Sequence, residues 1–264
     1  MRRLALLLVV LPLAACGGSK SSAPPSNMTP VAYVKSAALK TAQVPSEHAT
    51  LTASVAAAGQ AVALSGAGDF NNTHRIGSMH LDFSVAGLSS TLAEVLSGTT
   101  IYLQSPLFSA SLPSGKTWLK LDLQKALATK GIDFSALLSQ NPAETLSQLQ
   151  SSGAVTKVGG ETIDGVDTTH YRGTIDPSKL SQGAKIAALA NAKYGPYDVW
   201  IGNDDGYVHR MALSYSLKVQ GAAQREAITM TMGFSNYGKD VTVHIPADSV
   251  SFDGTNKAIL GLGG

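Results

Sequence analysis

The stretch GAVTKVGGETIDGVDTTHYRGTID, residues 153–176, carries the clearest structural pattern in the sequence. Residues 155–163 and 168–175 alternate apolar and polar side chains, which is typical of half-buried strands. Asp164 and Gly165 lie between the two runs. An Asp-Gly pair in this position indicates a tight hairpin turn. The stretch therefore predicts two antiparallel strands joined by a two-residue turn.

The same alternation continues on both sides of this hairpin. Toward the C-terminus, a second Asp-Gly pair, Asp205 and Gly206, separates two further alternating runs. The other predicted strands are 51–55, 62–64, 81–85, 99–103, 116–121, 197–202, 207–217 and 228–234. A mainly antiparallel sheet of about ten strands with one apolar face must curl or be covered.

Helices are expected where a capping side chain precedes a proline, because proline fits the first helical turn. This pattern occurs at Thr29-Pro30, Asn141-Pro142 and Asp176-Pro177. The expected helices span about 30–42, 142–153 and 177–191, and a fourth is predicted at 122–131. The predicted fold class is α+β, mainly antiparallel β: a curved sheet or half-open β-barrel with helices covering its concave face. The alternation alone is compatible both with a filled core and with an internal space.

The N-terminus, MRRLALLLVVLPLAAC, has the organisation of a bacterial lipoprotein signal. Two arginines precede an apolar run, 4–11, that is too short to cross a bilayer as a helix. Leu13-Ala14-Ala15-Cys16 resembles a lipobox, in which the cysteine is acylated and becomes the first residue. We expect a cleaved signal peptide at 1–15 and a lipid anchor at Cys16, on the outer face of the plasma membrane. The alternative is an ordinary secretory signal that contains a cysteine.

The remaining chain is expected to form one domain between two flexible segments. Residues 16–28 are rich in Gly, Ser and Pro and predict a lipidated tether, and 256–264 predict a flexible C-terminal tail. The domain between them would span 29–255. The chain has 20 Lys and Arg against 18 Asp and Glu. Since Arg2 and Arg3 leave with the signal peptide, the mature chain has no basic excess, and no nucleic acid partner is expected.

Motifs for catalysis or metal binding are incomplete. Gly115-Lys116-Thr117 lacks the first glycine of a phosphate-binding loop, and 203–206 lacks the distant glutamate of a calcium loop, so both are expected to be turns. The six histidines show no metal-ligand spacing on one element, and His170 is expected to face solvent beside Arg172. We therefore expect no enzyme activity, no cofactor and no metal site.

Four phrases, in this order, resemble a known family: KTWLKLDL at 116–123, residues 153–176, YDVWIGNDDGYVHRM at 197–211, and TMTMGFSNY at 229–237. They resemble the LppX/LprAFG lipoproteins of actinobacteria, whose fold is similar to that of the lipoprotein carrier LolA. The resemblance covers about residues 30–250. It implies a half-open barrel that holds acyl chains between sheet and helices, and it implies no catalytic residue. Residues 49–70 depart from the pattern because Ala and Gly dominate there, so the cavity size stays open.

Within this implied fold, the alternation nominates a lipid-binding lining. The nominated residues are Leu81, Phe83, Leu119, Met211, Leu213, Met230, Met232 and Phe234. Methionines suit a cavity that adapts to different chains. The expected function is to bind and shuttle acylated lipids or glycolipids in the cell envelope, with an envelope transporter as a candidate partner. The alternative is a non-transporting envelope module with a filled core, which binds a protein partner or acts as a sensor.

Overall fold

The computed structural model describes residues 28–57, 60–85, 87–122, 152–175, 192–217 and 225–252. The expected signal peptide, Cys16 and the tether up to residue 27 lie outside these residues. So do the predicted helices at 142–153 and 177–191 and the C-terminal tail. The helix predicted at 122–131 also lies outside them, except for Asp122, which ends a strand.

The described strands form one open sheet. They are β1 (Ser46–Ala57), β2 (Gln60–Asn71), β3 (Ile76–Val85), β4 (Leu88–Ser97), β5 (Thr100–Gln104), β6 (Trp118–Asp122), β7 (Ser152–Ile163), β8 (Val166–Ile175), β9 (Lys193–Gly202), β10 (Val208–Leu217), β11 (Glu226–Ser235) and β12 (Ser249–Ser251). Their order is β12-β6-β5-β4-β3-β2-β1-β11-β10-β9-β8-β7. Only the β12–β6 pair is parallel among these described strands. The mainly antiparallel sheet is confirmed, and it is not closed into a barrel, because β12 and β7 are its two edges.

The two predicted Asp-Gly turns are confirmed. Asp164 and Gly165 both have positive φ, 49° and 84°, which is the type I′ geometry that matches the twist of the flanking strands. Gly206 also has a positive φ of 65°, and its amide donates to the carbonyl of Gly202 at 2.9 Å. Glycine takes this left-handed conformation without the steric cost that a Cβ brings.

The first predicted helix is confirmed as α1 (Pro30–Ala42), and Thr29 caps it by accepting a hydrogen bond from the Ala32 amide. Three elements were not predicted: the short helix α2 (Pro106–Ser109), β4 and β12. The Ala93-Glu94 pair of β4 consists of poor strand formers, so its pattern is weak. Three residues show no periodicity of their own, and β12 exists through its pairing with β6.

The strand register defines two faces of the sheet, because directly paired residues project to the same side. We call one side of the sheet the inner face. It is the side from which the paired residues Val199, Met211, Met232, Leu51, Gly66 and Leu81 project, in that order across the sheet. Helix α1 packs on this face against β7, β9 and β10. Trp118 and Trp200 project from the opposite, outer face, as their alternation with Leu119 and Val199 predicts.

The described residues form two apolar clusters on the inner face. The buried cluster lies beneath α1 and includes Val34, Ala38, Tyr171, Tyr197, Val199, Ile201, Val208, Met211 and Phe234. A smaller cluster near the β12 edge places Phe108 of α2 against Leu119 of β6. The sheet between these clusters belongs mainly to β1–β4.

Candidate functional site

All eight residues nominated as a lipid-binding lining lie on the inner face. Met211 pairs with Met232, and Leu213 pairs with Met230. Further across the sheet, Leu81 and Phe83 belong to the same two rows of paired residues. The remaining two nominated residues, Phe234 and Leu119, are the ends of a third row of paired residues. This row is Phe234, Ala49, Gly68, Met79, Glu94, Leu103 and Leu119.

The eight residues divide by burial. Met211, Phe234 and Leu119 are almost fully buried and are packing residues of the two clusters. The other five are half-buried, and so are Leu51 and Leu64, which sequence reasoning did not nominate. We define the half-buried strip as Leu51, Leu64, Leu81, Phe83, Leu213, Met230 and Met232. Leu51 and Leu64 alternate in phase with the nominated residues. The hairpin register of β1 and β2 would therefore have added them to the predicted lining.

Three glycines stand where β2 and β3 approach each other closely on the inner face. A Cβ on Gly66 would collide with the His80 carbonyl and with Leu81, and a Cβ on Gly68 would collide with the Ser78 carbonyl. Gly77 lies against the ring of Phe70. Strand glycines mark such bends and close approaches. Gly66 and Gly68 of the Ala- and Gly-rich segment 49–70 therefore have a structural reason: a side chain does not fit where β2 and β3 approach each other this closely.

Two carboxyl groups interrupt the apolar inner face of β1–β6. Glu47 lies in β1, and Glu94 lies in β4. Glu47 is 1% exposed, and its Oε1 has no hydrogen-bond partner among the described residues. Burial raises the pKa of Glu47 to about 7, although a hydrogen bond from Asn72 opposes the rise. Glu94 is half-buried between Met79 and Leu103, and burial raises its pKa as well.

The outer face carries a different, polar site around Asp198. This carboxylate accepts hydrogen bonds from Arg172 at 2.8 Å and from His170 at 2.6 Å. Burial alone would raise the pKa of Asp198, but these two partners hold it below its usual value. The His170 ring stacks on Trp200 with 4.4 Å between ring centroids.

The prediction that His170 faces solvent is wrong, although its strand face was predicted correctly. The side chain is 12% exposed. The register of β8 and β9 pairs His170 with Trp200, whose ring covers it. Alternation gives the face of a residue, but the size of its cross-strand neighbour decides its exposure.

The incomplete motifs form turns, as predicted. The amide of Lys116 donates to the Pro113 carbonyl at 3.0 Å, and Gly115 has a φ of 78°. Within the described ranges, no group of three His, Cys, Asp or Glu side chains could hold a metal ion. In the same part of the chain, none of the helices combines the length and apolar character needed to span a bilayer.

Comparisons with known proteins agree with this architecture. Residues 33–243 match the family model described as LppX_LprAFG lipoprotein. An uncharacterized 31.2 kDa protein of Streptomyces griseus is 26% identical over 160 residues, which are 54% of this chain. This chain spans about half, 50%, of the length of that curated relative.

Two solved structures are similar to the chain. The crystal structure of LprF from Mycobacterium bovis is 18% identical with a TM-score of 0.51, over 82% of this chain and 96% of that one. The lipoprotein LppX of Mycobacterium tuberculosis is 18% identical with a TM-score of 0.46, over 81% and 97% of the two chains. The similarity to LprF shows a shared fold.

Proposed function

The chain belongs to the LppX_LprAFG lipoprotein family, and from this premise we propose that it binds and shuttles acylated lipids or glycolipids in the cell envelope. The observation that carries the proposal is the half-buried strip on the inner face. Its side chains are apolar, lie in register across five strands and are partly exposed to solvent. An acyl chain laid along them would remove this surface from water.

The proposed mechanism is burial of acyl chains between the sheet and the helices. Each buried methylene contributes about 0.8 kcal/mol, so one long chain is sufficient for tight binding. Met230 and Met232 would adapt to chains of different shape, since methionine is flexible and polarisable. The close approach of β2 and β3 at Gly66 and Gly68 supports a concave inner face. In this proposal the helices cover that concave face.

The proposed location follows from the N-terminal sequence and the family. Cleavage before Cys16 and attachment of a diacylated lipid to this cysteine would anchor the chain at the outer face of the plasma membrane. Two or more acyl chains hold a protein stably, whereas one gives only marginal binding. The segment 17–28 would act as a tether that lets the domain reach the membrane or an envelope transporter. We infer a binding protein rather than an enzyme.

Native mass spectrometry of the full chain, purified from membranes, tests the proposal. We expect a stoichiometric non-covalent mass that organic extraction identifies as an acylated lipid. Met230→Trp and Met232→Trp should lower its occupancy about tenfold or more, because an indole takes the volume of several methylenes. Thr231→Trp is the matched control, since Thr231 lies between them and projects from the outer face.

The alternative function, a filled module that binds a protein partner, has one observation in its favour. Met211, Phe234 and Leu119, three of the eight nominated lining residues, are packed in clusters. A chain that carries no lipid, even after incubation with envelope lipids, would exclude lipid binding and favour this alternative. Equal lipid occupancy in the tryptophan variants and in Thr231→Trp would show that the half-buried strip is not the binding site.

A further inference from the structure

Glu94 is the half-buried carboxyl group on the inner face of the described strands β1–β6. It pairs with Met79 on one side and with Leu103 on the other, and Leu92 and Leu96 flank it along β4 on the same face. Its side chain is half-buried. Glu47, by contrast, is closed off near Tyr237 and Asn72 with 1% of its surface exposed.

Within the part of the chain that the structure describes, Glu94 has no partner that explains its position. Among the described residues, neither a hydrogen bond nor an ion pair involves its carboxyl group. The inner-face positions of β1–β6 and β12 in the register contain no Lys, Arg or His. A carboxyl group in such surroundings costs stability that an apolar residue would not cost. A titratable group perturbed by burial, on a face open to ligand, is a candidate for ligand recognition.

We propose that Glu94 determines lipid selectivity by binding a hydroxyl group of a neutral lipid and by excluding lipids with a phosphate or carboxylate at that position. This inference rests on the proposed lipid-binding function. An ionised carboxylate accepts a hydrogen bond from a hydroxyl, and a protonated carboxyl group can both donate and accept. Both forms therefore suit a hydroxyl group.

An anionic group meets a different environment at this position. The ionised form of Glu94 repels a second negative charge, and this repulsion grows as the local dielectric constant falls, as it does among the apolar side chains that surround Glu94. No cation on the inner face of the described strands β1–β6 offsets this repulsion. The preferred ligand class is thus an acylated lipid whose polar part at this depth is an uncharged hydroxyl.

Three probes with the same two oleoyl chains separate the contributions: a diacylglycerol, a phosphatidic acid and a diacylglycerol whose free hydroxyl group is acetylated. The full chain is mixed with competing pairs, and the bound ratio is read by native mass spectrometry. We expect the wild-type chain to prefer diacylglycerol about tenfold over both others, the ratio that one charge-assisted hydrogen bond gives. Glu94→Leu should bring all three within about twofold.

Glu94→Gln provides the sharper variant. Its amide retains hydrogen bonding but has no charge, so diacylglycerol binding should persist while phosphatidic acid binding rises about tenfold. Asp82→Leu is the matched control, because Asp82 is an exposed carboxylate on the outer face of β3, and its lipid ratios should equal those of the wild type. A merely structural role of Glu94 would change the unfolding temperature without changing these ratios.

The outcomes distinguish the two proposals. If the wild-type chain binds none of the three lipids, the proposed function fails and the Glu94 inference fails with it. If it binds them but Glu94→Leu and Glu94→Gln leave every ratio unchanged, lipid binding stands and the Glu94 inference is overturned. If Glu94→Leu does not fold, the ratios of Glu94→Gln alone decide between the same two results.

Discussion

The buried cluster beneath α1 and the half-buried strip lie on the same inner face, yet they differ in depth. Tyr197, Val199 and Ile201 of the buried cluster have no exposed surface. Leu64 and Leu81 of the half-buried strip remain partly exposed. The two regions have the same alternation, so alternation defines a face and the packing of α1 decides how deeply each part of it is buried.

This difference separates stability from binding. A side chain in the buried cluster contacts protein on all sides, and its removal leaves a cavity. A side chain in the half-buried strip has contacts left to make, which a ligand can supply. Variants in the two regions should therefore affect different measurements.

The largest effect is expected from a pair of methionines on neighbouring strands. Met211 is 1% exposed, whereas Met230 is half-buried. Met211→Ala should lower the free energy of unfolding by about 3–4 kcal/mol, and Met230→Ala by about 1 kcal/mol, because only the first leaves an enclosed cavity. Urea unfolding of lipid-free protein measures both values. Equal losses would show that the buried cluster and the half-buried strip are packed equally tightly.

A smaller effect is expected from Glu47, the buried carboxyl group at the end of the inner face. Its pKa is about 7 in the folded chain and 4.5 ordinarily, so between these pH values only the folded state keeps the proton. Stability should fall as pH rises from about 4.5 to about 7, by about 3 kcal/mol in all. Glu47→Gln should remove the contribution of Glu47 to this slope, leave the contribution of Glu94, and make the chain more stable at pH 8.

The measurement for Glu47 is the unfolding free energy at several pH values between 4.5 and 8. Asp82→Asn is the control and should keep the wild-type slope, since Asp82 is exposed. The pKa values of Asp198 and Asp205 lie below their usual value, so these residues affect stability only under more acidic conditions. A wild-type slope in Glu47→Gln would contradict the burial of this carboxyl group, whose Oε1 has no hydrogen-bond partner among the described residues.

Local patterns in the sequence were sufficient to predict much of the fold. The Asp164-Gly165 turn, the helix after Thr29 and the antiparallel pairing all follow from short-range rules. Strand β4 was missed because Ala93 and Glu94 favour other conformations, and its strand state depends on pairing with β3 and β5.

The sequence was sufficient to predict which face of the sheet carries the candidate site, but not which of its side chains are exposed. All eight nominated residues project from the inner face, yet Met211, Phe234 and Leu119 are core residues. Burial depends on which element packs above each strand, and that contact is long-range in sequence. Glu94 was missed together with β4, so the charge on this face could not be seen from the alternation of neighbouring strands.

The smallest effect concerns the close approach of β2 and β3 at the half-buried strip. Gly66→Ala should cost about 2 kcal/mol, because its Cβ would meet the backbone of β3, which cannot move without disturbing the pairing. Gly159→Ala in β7 is the matched control: a Cβ there meets open space, so the change should be neutral or stabilising by about 0.5 kcal/mol.

The lipid occupancy of Gly66→Ala and Gly159→Ala distinguishes a role in binding from a role in the fold. If the close approach of β2 and β3 shapes the binding surface, Gly66→Ala should reduce lipid occupancy as well as stability, while Gly159→Ala should leave occupancy unchanged. A Gly66→Ala chain that loses stability but binds lipid like the wild type would show that this close approach serves the fold alone. The half-buried strip would then bind its ligand through side chains rather than through the curvature of the sheet.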